Sequence, residues 1–162
     1  MPTLADLMDT LPQTGIVEWI GVRPARHETM HEVETVRIDE DSGLDGDRYS
    51  KTGGERQVTL IQGEHLDGLA SMLGIEPVSP ATVRRNIVVR GINLLALKEK
   101  RFRVGDAVLE YTGLCHPCSM MEEALGPGGY NAMRGHGGIT ATVVSGGDVR
   151  VGDSISAARP QD

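Results

Sequence analysis

The stretch "RFRVGDAVLEYTG", residues 101–113, reads as two strands folded back on each other about Gly105-Asp106. A glycine at the first turn position admits the positive φ that a two-residue hairpin loop asks for, and the flanking Phe102, Val104, Val108 and Tyr111 are of strand-forming type. A second hairpin is expected in "ITATVVSGGDVRVGDSIS", residues 139–156, about Gly146-Gly147. The tetrapeptide "RVGD" occurs in both, at 103–106 and 150–153, as one turn chemistry used twice rather than as a duplicated unit. Working outward, strands are expected over 15–23, 31–39, 56–62 and 85–92, with loops at 42–55 and 76–84. Helical spacing is confined to residues 1–13, to "GEHLDGLASMLG" at 63–74, and to the turn after the cysteines. Seven or so strands against two or three short helices predict a mainly β, closed or nearly closed barrel in a single domain.

Composition sets the outer bounds. At 162 residues the chain can bury a core without disulfide or metal staples. Hydrophobic residues make up 39% but aromatics only 3%, so that core must be built from Val, Ile, Leu, Ala and Met. The 21 glycines imply many turns and close backbone approaches. A net charge of −7 argues against general nucleic-acid or anionic-membrane binding, while leaving room for a local basic pocket. No run approaches the roughly 18 apolar residues of a membrane span. The start, "MPTLADLMDTLPQTG", has neither the basic opening nor the apolar stretch of a signal peptide. With only two cysteines, a cytoplasmic protein without a structural disulfide is the expectation.

Both cysteines, Cys115 and Cys118, fall in "TGLCHPCSMMEEALGPGG", residues 112–129. A structural zinc site needs four ligands, and the chain offers neither a second C-x-x-C nor an H-x(3–5)-H; His116 sits between the cysteines and His136 is isolated. A thioredoxin-like pair belongs in a βαβ setting, and no such crossover is evident in the pattern. "SMME", Ser119 to Glu122, fits a capping box with Ser119 as N-cap, and Gly126-Pro127 supplies the stop. Cys118 then lies one residue before the cap of a short helix, where the positive end of the dipole favours nucleophilic or metal-binding sulfur. Packing as small apolar residues is the alternative for both cysteines, and it suits Cys115 better.

In order along the chain, "GLDGDRYS", "RQVTLIQGEHL", "RRNIVVRGINL", "FRVGDAVLEYTGLCHPC" and "MRGHGGITATVVSGGDVRVGDSI" resemble the MOSC domain, the module named after the C-terminal domain of molybdenum-cofactor sulfurase. The resemblance runs from about Gly15 to Ser156 and points to a stand-alone bacterial-type member: residues 1–14 as an N-terminal extension, 15–157 as the domain, and 158–162 as a tail. It implies a MOSC-like β-barrel with a few short helices and a role in sulfur transfer or in binding the molybdenum–molybdopterin cofactor. By the same resemblance, Cys118 would be the catalytic sulfur and the ligand to molybdenum. Arg84 and Asn86, from an R-x-N-[IV] element, would hold the cofactor's phosphate. Asp47 and Arg48 of the Gly43–Arg48 loop would line the same pocket, with Arg134 and Gly137-Gly138 as the late glycine-rich loop. Plainer roles remain open at this stage: surface charges for Arg84 and Arg85, a loop ion pair for Asp47 and Arg48, and a strand-entry cap for Asn86.

Two functions follow, beside a plainer third, a binding module that holds a phosphorylated pterin or another anion without turnover. One is a molybdenum-dependent reductase of N-hydroxylated compounds, in which arginine suits the bidentate grip on a phosphate and thiolate the soft metal. Its electrons would come from a separate donor protein, since the chain has no flavin, haem or iron–sulfur signature. The other is a sulfur carrier that holds a persulfide on Cys118 for metal–sulfur cluster or cofactor assembly, loaded by a sulfur donor such as a cysteine desulfurase. Pyridoxal phosphate is not among the expected cofactors, and neither nucleic acid nor membrane is an expected partner.

Overall fold

The computed structural model describes residues 1–48 and 52–159; positions 49–51, in the expected 42–55 loop and at the end of "GLDGDRYS", and the last three of the 158–162 tail lie outside the described residues. The chain begins with helix α1 (Leu4–Asp9), followed by strands β1 (Gly15–Val22), β2 (His31–Glu32), β3 (Thr35–Asp39), β4 (Gly43–Leu44) and β5 (Val58–Gln62). Helices α2 (Gly63–Leu73) and α3 (Pro80–Val83) lead to β6 (Ile87–Arg90), and a 3-10 turn at Leu94–Leu97 leads to β7 (Arg101–Val104) and β8 (Ala107–Leu114). Helices α4 (Ser119–Leu125) and α5 (Gly129–Met133) precede β9 (Ile139–Ser145), β10 (Gly147–Arg150) and β11 (Ser154–Ala157).

Seven strands close in the order β1-β11-β7-β8-β9-β5-β6, with β6 returning to β1. The seam between β1 and β11 is short, pairing Gly15 with Ile155 and Ile16 with Ser154. A three-stranded sheet, β10-β3-β4, leans on the barrel and carries the chain toward Asp47. The expected mainly β barrel is therefore the fold. Its interior is aliphatic, as the scarcity of aromatics requires, with Val17, Ile20, Leu60, Ile87, Leu109 and Ile155 around a fully buried Phe102. Outside the wall, Trp19, Ile61 and Val88 meet Leu66, Leu69, Val83, Met121 and Met133 of the helices. Strands β5 and β6 are thus covered on both faces, which explains why "VTLI" and "IVV" read as continuous apolar runs rather than as alternation.

Four local expectations need correction. The 101–113 hairpin forms as read, but 139–156 is not a hairpin: β10 pairs with β3, from Gly147↔Ile38 to Arg150↔Thr35, and not with β9. The two glycines permit this path: a Cβ on Gly147 would lie 2.4 Å from the Asp106 carbonyl and one on Gly146 2.8 Å from the Ile38 carbonyl, so the chain passes close against the β7–β8 turn and β3. Residues 31–39 split in two, since the Val33 N–H donates to the Ile20 carbonyl at 3.0 Å and the chain changes partner there. The 76–84 loop contains the short helix α3, opened by Pro80. Finally, β5 and β6 are parallel and joined through α2 and α3, so a βαβ-type crossover does exist, though far in sequence from the cysteines.

Candidate functional site

The sequence Val83-Arg84-Arg85-Asn86 turns out of α3 into β6, and each residue is committed differently. Arg84 stops the helix in the left-handed region, with φ 62°, and its Nη1 approaches Met120 Sδ at 3.6 Å. Arg85 is buried: Nε donates to the Gly137 carbonyl at 2.8 Å, Nη1 to Val83 at 2.7 Å and Nη2 to Cys115 at 3.4 Å. Burial lowers its pKa from the ordinary guanidinium value, while the nearby cysteines act in the opposite direction. Asn86 is a junction. Its Oδ1 accepts from the Thr59 N–H and hydroxyl, both at 3.1 Å, and its Nδ2 donates to the Gly21 carbonyl at 3.1 Å and to Asp47 Oδ1 at 3.3 Å. Asp47 Oδ1 also accepts from the Arg23 N–H at 2.8 Å, so β1, β5, β6 and the loop after β4 are fastened at one point.

The cysteine loop is held from behind by glycine. The Cys115 N–H donates to the Gly138 carbonyl at 2.8 Å, and a Cβ on Gly137 would lie 2.1 Å from the Cys115 carbonyl. Cys115 is 1% exposed, with Arg56 Nη2 3.8 Å from its sulfur. Cys118 is exposed and is itself the N-cap of α4, without a side-chain capping bond, so the expected box with Ser119 as cap does not form. Glu122 is used elsewhere: its carboxylate accepts from the Tyr130 and Gly128 N–H groups, both at 3.0 Å, and these bonds lower its pKa.

These pieces meet around a cavity of about 300 Å³. Cys118, Arg84, Asn86, Asp47 and Arg48 all line it, together with Arg85, Met120 and Met121. Arg134 stands apart: it is exposed after α5, donates to Asn131 at 3.3 Å and does not line the cavity. The lining also includes Arg23, Arg26, Met30, Arg56 and Thr59, which the sequence reading passed over, and His27, which lacks ligand spacing to the other histidines and reads from the sequence as a solvated side chain. The signal for three of them was "VRPARHE", residues 22–28, where two arginines and a histidine crowd the end of β1. Among the described residues the lining sets six arginines and a histidine against one carboxylate, Asp47, in a chain whose net charge is −7. Such a cavity attracts oxyanions, and the exposed Cys118 sulfur places a soft donor among them. His116 is exposed outside the lining, and His136 packs edge-on against His65, with ring centroids 5.0 Å apart.

Among curated proteins no sequence matches the chain. A family model described as "MOSC domain" matches residues 44–156. Similar solved structures include the YUAD protein from Bacillus subtilis, at 20% identity over 91% of this chain and 98% of that one, with a TM-score of 0.78. YiiM from Geobacillus stearothermophilus is 17% identical over 90% of this chain and 75% of its own, with a TM-score of 0.72. YiiM from Escherichia coli is 18% identical over 89% and 70%, with a TM-score of 0.68. At these identities the likeness is one of fold.

Proposed function

Because this chain belongs to the MOSC domain family, we propose that it binds a molybdenum–molybdopterin cofactor through Cys118 and reduces N-hydroxylated compounds with it. The observation that carries the reading is the shared cavity: an exposed cysteine sulfur lies in one lining with Arg84, Arg48 and four further arginines. The donor set fits such a group. A thiolate is the soft ligand that molybdenum takes, and guanidinium groups match the oxygens of a phosphate in pairs.

Each residue has a part in the reading. Arg84 and Arg48 bind the phosphate. Asn86 positions rather than binds, since its amide is occupied by Thr59, Gly21 and Asp47. Arg85 likewise spends its donors on three backbone carbonyls, contributing charge to the lining while fixing the cysteine loop. Met120 and Met121 give the Cys118 side an apolar wall that limits water. When bound, the cofactor supplies a metal centre able to pass two electrons, so that R–NHOH, two electrons and two protons give R–NH2 and water. A separate protein delivers the electrons.

The test is metal analysis and pterin fluorescence on protein purified from its own host, beside Cys118→Ser and Arg84→Ala. Molybdenum and pterin near one per chain in the wild type, both lost in Cys118→Ser and reduced in Arg84→Ala, is the expected result. Persulfide on Cys118 with no molybdenum in the native preparation would overturn it in favour of a sulfur carrier.

A further inference from the structure

Three methionines line the cavity, and their surroundings differ. Met30 and Met121 are buried, at 8% and 2% exposure, in the apolar cluster between the barrel wall and the helices. Met120 is 37% exposed, in the first turn of α4 and two residues beyond Cys118. Its sulfur faces a cation. Arg84, at the end of α3, donates from Nη1 to Met120 Sδ at 3.6 Å. Among the described residues this is the only hydrogen bond of the Arg84 side chain. A thioether is a weak acceptor, so the guanidinium rests on a poorly matched partner.

One added oxygen changes the match. Peroxide oxidises a solvent-reachable thioether by two electrons: sulfur takes one oxygen, the O–O bond breaks, and the other oxygen leaves with both protons. Thioether and hydrogen peroxide thus become sulfoxide and water, and an apolar side chain becomes a polar one. The sulfoxide oxygen accepts a hydrogen bond far better than the sulfur it is attached to. The flexible Met120 side chain can bring that oxygen to ordinary hydrogen-bond distance from the guanidinium. We propose that Met120 is a site of reversible oxidation by peroxide, and that its sulfoxide engages Arg84 and draws it from the anion in the cavity. That Arg84 serves an anion rests on the function proposed above, whereas the oxidation and the new hydrogen bond do not. Reduction returns the thioether and frees the guanidinium. Met30 and Met121, in the same lining but enclosed, keep their sulfur unoxidised.

The test uses the full chain, free of cofactor and carrying Cys118→Ser so that no exposed thiol competes for the oxidant. After hydrogen peroxide, peptide fragmentation should place the new oxygen on Met120 and on the exposed Met8 and Met72, and not on Met30 or Met121. The Arg84 guanidinium N–H resonances should then shift, and should stay in place when Met120→Leu is treated in the same way. Inorganic phosphate should bind about ten-fold more weakly after oxidation, the scale of one hydrogen bond to a charged group, while Met120→Leu keeps its affinity. Methionine sulfoxide reductases with a dithiol should restore both readings. A Met120 that stays reduced while Met8 and Met72 oxidise overturns the proposal, and so does a sulfoxide at Met120 that leaves Arg84 or the phosphate affinity unchanged. An equal loss of affinity in Met120→Leu would place the effect elsewhere and overturn it too. Phosphate that leaves Arg84 of the untreated chain unmoved would overturn the proposed function and the competition for an anion, while the shift of Arg84 on oxidation still decides the modification.

Discussion

At Cys115 the sulfur is enclosed, with Arg56 its polar neighbour, whereas three residues on Cys118 opens into the arginine-lined cavity. The same element chemistry therefore yields opposite mutational behaviour. Cys115→Ser replaces a fully buried sulfur by a smaller, more strongly solvated hydroxyl and should cost about 1–2 kcal/mol of stability, read by denaturant unfolding. Cys118→Ser removes no packing and should stay within about 0.5 kcal/mol of wild type while losing metal. If Cys115→Ser left stability unchanged but abolished metal retention, the two sulfurs would be acting as a pair. The distinction between the cysteines was legible because one precedes a helix. Arg26, His27 and Arg56 were not, because nothing in a local pattern says that the end of β1 and the start of β5 face one cavity. The residues carried by the family resemblance, Arg84 and Asn86, do line it, but only the structure shows that Asn86 has its amide occupied.

Among the elements, β6 is the one on which the site hangs. Its first turn of chain is clamped to β5 by Asn86 and Thr59, and to the loop after β4 by Asp47. Asn86→Ala would strand the Thr59 N–H and the Gly21 carbonyl in the interior, at a cost of about 3 kcal/mol, and should loosen phosphate binding through the shifted loop. Retained stability in Asn86→Ala would show the clamp to be incidental. The entry to β9 is tighter still. Gly138 has φ 86° and a Cβ there would lie 1.9 Å from the Leu60 carbonyl, so Gly138→Ala should lose 4 kcal/mol or more, or fail to fold. A folded Gly138→Ala of wild-type melting temperature would show that β5 and β9 can separate. Strand existence was written locally, in β-branched runs and turn residues. Strand partnership was not: "SGGD" at 145–148 is fit for a hairpin turn, yet the same glycines let the backbone pass close to the β7–β8 turn and pair β10 with β3.

For the whole molecule, an acidic chain gathers six of its sixteen lysines and arginines in one cavity and pairs two imidazole rings, those of His65 and His136, away from it. No helix of the described residues is long and apolar enough to cross a membrane. His65, on α2, turns its ring against that of His136, and its Nδ1 is enclosed with no hydrogen-bond partner among the described residues. Burial holds its pKa below the ordinary 6.5, the charge of His136 adds to this, and Glu64 opposes both. A histidine with a lowered folded pKa contributes its stability in full above the unfolded value. That contribution is lost as pH falls from 6.5 through the lower folded value, because the unfolded chain takes up the proton first. Carboxylates also titrate on the acid side, so the measurement is a difference. Thermal unfolding of wild type and His65→Leu across pH 8 to 5 should show the wild type losing ground to the variant only below about pH 6.5. Leucine carries no group to charge, which makes the variant the acid-resistant partner. Parallel melting curves over the whole range would mean that the His65 ring takes its proton in the folded chain as readily as in the unfolded one, with α2 giving way to admit water.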